Sequence, residues 1–237
     1  IEGKKHILVI NRRDMISEGA FKEWQRWFQK KNDYPLWSDA KSGQGVNKIL
    51  EAAINAGQEL NERRTARGML SRPVRALTLG FPNVGKSALI NRLMKRRVVA
   101  SARRAGVTRN LRWVRLGTNL DLLDAPGVLP PRFDNQTAAL HLALCDDIGE
   151  ASYDVESVAI ALLEIIKDLK EKPLSGVNKN LLQKRYGLTN NLNSSDCYYW
   201  LKEAAKNHTS GDTRRMAQRI LDDFRKCLLG FISLELP

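Results

Sequence analysis

One long stretch of this chain has no acidic residue. Between Asn91 and Arg115 there is neither Asp nor Glu, while Arg92, Lys95, Arg96, Arg97, Arg103, Arg104, Arg109, Arg112 and Arg115 all lie there. The whole chain carries a formal net charge of +13. A block of like charge repels itself unless something anionic meets it, which points to a polyanion partner. No amphipathic anchor accompanies the block, so nucleic acid fits better than lipid. Long apolar runs are missing too, and nothing approaches the ~18 residues of a membrane-spanning helix. Cysteine is scarce: Cys145, Cys197 and Cys227 stand far apart, which excludes a zinc spacing and argues against a disulfide framework. A reducing compartment is the default. Histidine is limited to His6, His141 and His208. No initiating Met and no signal peptide opens the sequence. Ile1 stands at what reads as the edge of a strand, so the natural protein is expected to begin further upstream.

Hydrophobic residues make up 43% of the 237, enough for one large domain or a domain with a smaller module. The stretch LTLGFPNVGKSALINRL, Leu77 to Leu93, contains Gly80-Phe81-Pro82-Asn83-Val84-Gly85-Lys86-Ser87. This fits the phosphate-binding pattern G-x-x-x-x-G-K-[ST], with an apolar β-branched strand before it and a helical pattern after it. The glycines let the backbone from Pro82 to Ala88 wrap the phosphates, so that the N–H groups after Pro82 turn toward phosphate oxygens, and the helix N-terminus adds partial positive charge. Lys86 is expected to reach the β- and γ-phosphates, and Ser87 to place its hydroxyl on Mg²⁺. Downstream, NLDLLDAPG reads as a strand running into Asp124-Ala125-Pro126-Gly127. Asp124 is the expected Mg²⁺ partner through water, and Gly127 would offer its N–H to the γ-phosphate. Thr108, in AGVTRNLRW, is the natural second hydroxyl for Mg²⁺; a plain surface Thr is the alternative. Val128 follows the Asp-x-x-Gly element where Ras-type enzymes carry a water-orienting Gln, so intrinsic hydrolysis is expected to be slow. No general base is assigned, and His141, in AALHLAL, reads as a helix-face residue.

The residues before the phosphate loop carry their own motif. KKHILVI reads as a strand ending in Asn11-Arg12-Arg13-Asp14, which resembles the guanine-reading element Asn-Lys-x-Asp of GTPases. One carboxylate, Asp14, can accept both the ring N–H and the exocyclic amine of guanine, a pair that adenine does not offer. Asn11 would support the loop, and Arg12 replaces the usual Lys whose stem lies along the nucleotide. LWSDAKSGQGVNKIL resembles the Ser-Ala-Lys element, with Asp39 in place of Ser. Ala40 and Lys41 are its guanine-side residues, Ala40 through its backbone N–H.

Base reading, phosphate binding and switches thus come in permuted order. Together with GVTRNLRWV, LDLLDAPGVLPP, CDDIGEASYD and RILDDFRKCLLGFISLELP, they make the chain similar to the circularly permuted ribosome-biogenesis GTPase A family, with CDDIGEASYD most like its cyanobacterial and chloroplast (DAR GTPase) branch. The resemblance implies an α/β P-loop NTPase three-layer sandwich followed by a small all-α domain, with GTP or GDP and Mg²⁺ bound. It further implies action as an assembly factor on the large ribosomal subunit and its rRNA, as a monomer, in bacterial cytoplasm or, alternatively, plastid stroma. In related GTPases an Asn at the position of Asn83 helps hold K⁺ against the phosphates; a turn-stabilising Asn is the other reading. Two departures stand out. Ala105 occupies the place of a typical Pro. Also, the strand that should lie between the Asn11 strand and the phosphate-loop strand has no room before Asn11, so the sheet is expected to have a central gap or the chain to be a fragment.

The GTPase domain is expected over residues 1–150 and a helical RNA-binding-type domain over 151–237. GVNKILEAAINAGQEL reads as one amphipathic helix with Val46, Ile49, Leu50, Ala53 and Leu60 on a face, followed by a basic linker ending at Pro73. Asp154 is a plausible cap for a helix with the stripe Val155, Val158, Leu162, Ile166 and Leu169. In the last helix Met216, Ile220, Phe224 and Leu228 are expected inside, with Arg214, Arg215, Arg219, Arg225 and Lys226 outside. Tyr198, Tyr199 and Trp200 are read as core residues. Two functions remain open from sequence: a GTP-hydrolysing ribosome assembly factor, or a nucleotide-gated RNA-binding scaffold with negligible hydrolysis. A small-molecule kinase would need an acceptor pocket and lid for which these motifs do not call.

Overall fold

A computed structural model describes residues 4–95, 111–130, 132–188 and 196–237. In chain order its elements are β1 (Val9–Ile10), a 3-10 turn (Arg13–Met15), α1 (Glu18–Lys30), β2 (Leu36–Trp37), α2 (Val46–Ala56), α3 (Gln58–Thr65), β3 (Val74–Thr78) and α4 (Lys86–Leu93). They continue as β4 (Arg112–Leu116), β5 (Leu120–Asp124), α5 (Gln136–Leu144), α6 (Val155–Leu169), α7 (Leu181–Tyr186), α8 (Cys197–His208) and α9 (Thr213–Arg225). The chain divides into two compact units: Ile1–Arg13 with Asn32–Pro130, and Asp14–Lys31 with Pro131–Pro237. The division falls earlier than residue 150 and places α1 with the second unit.

In the first unit β3 pairs in parallel with β5, and β5 pairs antiparallel with β4 in the order β3–β5–β4. The sequence LDLLD alternates, so Leu120 and Leu122 point into the core and are 1% and 6% exposed. They meet Ile90 of α4 and the partly buried Leu50, Ala53 and Ile54 of α2. β1 and β2 form a separate parallel pair, Val9 opposite Leu36 and Ile10 opposite Trp37. Among the described residues no strand joins the two sheets. Helices bridge instead. Val46 and Ile49 of α2 and Leu89 of α4 pack with Val9, Leu36 and Leu93 into a second cluster. Leu77, Leu123 and Trp113 share one row across β3, β5 and β4, on the face away from these helices. Leu77 and Trp113 there are 48% and 54% exposed.

The single helix expected over Val46–Leu60 is two. It breaks at Gly57, whose amide closes on Ile54 and whose bare α-carbon faces the Val74 side chain of β3. Leu60 therefore belongs to α3, a polar helix, and is 50% exposed rather than part of the α2 face.

The second unit has one core, built on Leu144 of α5, Val158, Leu162, Leu163 and Ile166 of α6, Trp200 and Leu201 of α8 and Met216, Ile220 and Leu221 of α9. Asp154 caps α6 by accepting from the Ser157 N–H at 2.8 Å. Three expectations are corrected here. Leu228 lies past the end of α9 and is exposed. On α8 only Trp200 of the aromatic run is buried; Tyr198 and Tyr199 are exposed, because the inward stripe is Cys197, Trp200, Leu201, Ala204 and Ala205. Arg225 is not a solvated side chain. It donates to the Leu144 carbonyl (3.0 Å), the Ala143 carbonyl (2.8 Å) and the Tyr153 hydroxyl (3.0 Å), closing the C-terminal end of α5. A buried acid completes the unit. Asp223 accepts both guanidinium bonds of Arg185 (2.8 Å each) and the Tyr186 hydroxyl (2.9 Å). Burial alone would raise the Asp223 pKa; these donors outweigh it and hold it below the usual carboxylate range.

Candidate nucleotide site

The phosphate loop leaves β3 and winds into α4 through backbone that few residues accept. Gly85, the residue before α4, has φ +93°, and Asn83 sits at φ +54°. A side chain at Gly85 would collide with the side-chain amide of Asn11. That amide donates to the Val84 carbonyl at 3.1 Å, and its oxygen accepts from the Ser38 hydroxyl at 3.1 Å. The Arg12 guanidinium donates to the Asn83 carbonyl, and the Arg13 N–H to the Ser38 carbonyl (3.1 Å). So the end of β1 is bonded both to the phosphate loop and to the segment after β2, although more than seventy residues separate Asn11 from Val84. Asp14 follows in the turn Arg13–Met15.

The segment Ser38–Gly45 is wound tightly. Asp39 accepts from the N–H groups of Lys41 (2.7 Å) and Ser42 (3.0 Å). Burial works against its charge, but the Ser42 hydroxyl and these two N–H groups outweigh it and lower the Asp39 pKa. This explains an acid where the family motif has Ser: the carboxylate acts as an internal cap and leaves Ala40 half-buried at the turn.

Lys86 donates to the carbonyls of Gly80 (3.0 Å) and Phe81 (2.6 Å), within its own loop. Asp124 ends β5 with no exposed surface, and neither carboxylate oxygen has a hydrogen-bond partner among the described residues. The Thr78 hydroxyl beside it gives its proton to the Leu123 carbonyl at 3.1 Å. Burial pushes the Asp124 pKa up, and Lys86, Thr78 and Arg112 offset this only in part. A buried acid whose carboxylate oxygens have no partner among the described residues, with Lys86 nearby, suits a hydrated divalent cation. The following loop is seated on the phosphate loop. A Cβ on Gly127 would lie 2.5 Å from the Pro82 nitrogen, and the Val128 N–H donates to the Gly80 carbonyl (3.2 Å). The Val128 side chain is exposed. Thr108, Ala105 and the arginines from Arg96 to Arg109 lie outside the described residues. His141, in α5, has Nδ1 3.7 Å from the Glu235 carboxylate.

The phosphate loop, Asp124, Gly127, Asn11, Arg12 and Ala40 were all legible as candidates. One participant was not: Arg92, in the last turn of α4, donates to the Ser42 carbonyl. No spacing rule signals such a bond.

A family model described as "50S ribosome-binding GTPase" matches residues 75–183. The Ribosome biogenesis GTPase A of Bacillus pumilus is 33% identical over 189 residues, covering 80% of this chain and 64% of that protein. Its counterpart in Bacillus licheniformis is 35% identical over 168 residues, covering 71% and 59%. These two proteins, named Ribosome biogenesis GTPase A, are homologues of this chain. The chain spans less than two thirds of the length of these curated relatives. The GTPase grn1 of Schizosaccharomyces pombe is similar at 28% identity, over 82% of this chain and 43% of that protein. Among solved structures, GNP-bound YlqF from T. maritima matches with a TM-score of 0.60 at 19% identity, over 98% of this chain and 81% of that one. A GDP-bound YlqF structure matches with 0.59 at 21%, over 100% and 86%. These likenesses establish the fold as a circularly permuted P-loop GTPase domain with C-terminal helices. No helix among the described residues is long and apolar enough to cross a membrane.

Proposed function

We propose that the chain binds GTP and GDP and hydrolyses GTP as an assembly factor for the large ribosomal subunit. The observation that carries this is the double bond of Asn11, to Val84 of the phosphate loop and to Ser38 beside Ala40. It joins a base-reading motif to a phosphate-binding one. In this reading Asp14 accepts the two N–H donors of guanine and the Ala40 N–H meets its carbonyl oxygen, with Asn11, Arg12 and Lys41 framing the base. The loop from Pro82 to Ala88 wraps the phosphates, and the N–H groups of Asn83–Ala88 and Gly127, with Lys86, hold them. Ser87 and Thr108 would bind Mg²⁺ directly and Asp124 through water. When bound, Mg²⁺ neutralises phosphate charge. Asn83 is proposed to help bind K⁺ where an arginine finger would otherwise place its charge.

Val128 cannot orient a water through its side chain, so hydrolysis is slow until the ribosomal partner supplies what is missing. Binding to rRNA is assigned to the acid-free stretch 91–115 in the GTP state, with release after hydrolysis, and the factor works as a monomer wherever such ribosomes are assembled, in bacterial cytoplasm or plastid stroma. The exposed Val128 also supports a second reading, a nucleotide-gated RNA scaffold that scarcely turns over. Multiple turnovers with large subunits and K⁺ would exclude the scaffold. The primary test is fluorescent GDP binding against ADP for wild type and Asp14→Asn in K⁺ buffer. The proposal requires a strong GDP preference that the variant shifts to xanthosine diphosphate. Equal binding of GDP and ADP by the wild type refutes it.

A further inference from the structure

The helix that begins the phosphate site also reaches the base loop with its other end. α4 opens at Lys86 and Ser87 and closes at Leu93. Six residues after Lys86, a rise of about 9 Å along the helix, Arg92 extends its guanidinium to the Ser42 carbonyl. The same guanidinium turns its Nε–Nη2 edge toward Gly43: a Cβ there would stand 2.5 Å from Nη2 and 2.6 Å from Nε. Gly43 has φ +92°, and its N–H is bonded to the Asp39 carbonyl at 2.8 Å. Asp39 in turn fixes the N–H groups of Lys41 and Ser42 on either side of the same turn. Arg92 is exposed and belongs to none of the hydrophobic clusters.

We propose that Arg92 is a positioning residue for guanine selectivity, holding the Ala40–Gly43 turn at a fixed distance from the phosphate-binding end of α4. The inference rests on the nucleotide reading above and names the group that sets its base discrimination. The Asp39 cap gives the turn its internal shape but does not fix where the turn stands. Asn11 ties the start of the segment, at Ser38, to the phosphate loop. Arg92 ties its far side, at Ser42 and Gly43, to α4. Two anchors on opposite sides define the position of the Ala40 N–H between them. A misplacement of that N–H costs base recognition without touching the phosphates. Lysine is a poor replacement, because one ammonium can reach the Ser42 carbonyl but cannot present the paired Nε–Nη2 edge that faces Gly43.

The test compares wild type, Arg92→Ala and Arg92→Lys for binding of fluorescent GDP, ADP and inorganic diphosphate. Because the side chain is exposed, both variants are expected to fold, which circular dichroism and urea midpoints check. Arg92→Ala should lose GDP affinity by about tenfold, the order of one charge-assisted hydrogen bond. Diphosphate affinity should hold, so the GDP-over-ADP ratio falls by nearly the same factor. Arg92→Lys should recover only part of it. If Arg92→Ala binds GDP as the wild type does, or loses diphosphate and GDP equally, the positioning role is overturned while the nucleotide reading stands. If the wild type itself shows no preference for GDP, both fall together.

Discussion

Replacing Asp124 by Asn separates what this residue does for stability from what it does for function. The carboxylate has no exposed surface and no hydrogen-bond donor among the described residues, and burial raises its pKa. A buried polar group without partners costs about 1–3 kcal/mol, more when charged. Asn keeps the shape and removes the charge, so a gain of about 1 kcal/mol in the first unit is expected near pH 7. The sign against pH follows from the direction of the shift. With the folded pKa above the unfolded one, ionisation penalises the native state. Below about pH 4 the group is protonated in both states and the advantage of Asn vanishes. As pH rises above the unfolded value toward the folded pKa the advantage grows, and above the folded pKa it is complete.

Nucleotide should reverse the order. At a hundred times its Kd, a Mg²⁺-loaded GTP analogue stabilises the wild type by about 2.7 kcal/mol. Losing an outer-sphere carboxylate costs up to about 100-fold in metal affinity, which would leave the variant about 0.4 kcal/mol from the ligand. Urea unfolding followed by hydrogen exchange at the β5 amides, with and without Mg²⁺ and the analogue, reads both effects. A variant less stable than wild type at pH 7 without nucleotide would mean that the carboxylate has a favourable partner. A variant more stable but equally responsive to Mg²⁺ and nucleotide would remove Asp124 from the metal site.

Asp223→Ala should destabilise the second unit by about 2–3 kcal/mol, because Arg185 and the Tyr186 hydroxyl lose their acceptor. The Asp223 pKa is held down in the fold, so its contribution is present above about pH 4 and lost as pH falls through the folded value; urea midpoints of variant and wild type should converge in acid. On α8, Trp200→Ala should cost about 3–5 kcal/mol and Tyr199→Ala less than about 0.5, a contrast that denaturation of the two variants measures directly.

The α8 contrast also shows where sequence reading fails. Tyr198, Tyr199 and Trp200 are consecutive, and consecutive helical positions point about 100° apart, so one face cannot take all three. Residue type suggested a common burial; the period assigns it to Trp200 alone. Where the period was read within one helix the result held, as for the stripe from Val155 to Leu169, buried throughout; Leu60 and Leu228 failed because each lies beyond the end of the helix whose period was extended to it. The phosphate loop was legible because its chemistry demands glycine and lysine at fixed offsets. The helix break at Gly57 was not, since it depends on Val74 of β3 lying against that α-carbon. Nor was Arg92: a guanidinium on a carbonyl fifty residues away leaves no local trace.

The gap in the sheet gives these long-range bonds a consequence. In an ordinary GTPase sheet, backbone ladders through an intervening strand would link the strand ending at Asn11 to the strand entering the phosphate loop. Here β1 and β3 share no such ladder among the described residues. Among the described contacts that join the proposed base-reading half to the proposed phosphate-binding half are the packing of α2 on α4 and the polar pairs Asn11–Val84, Arg12–Asn83 and Arg92–Ser42. Each such contact is worth only about 1 kcal/mol net. A ligand that touches guanine-reading residues on one side and phosphate-binding residues on the other therefore adds a large fraction of the free energy holding the halves in register. A fragment of the nucleotide, diphosphate or the nucleoside alone, touches only one half and adds none of that coupling. Nucleotide affinity and the order of this unit are then two readings of the same equilibrium, and a residue such as Arg92 changes the first by acting on the second.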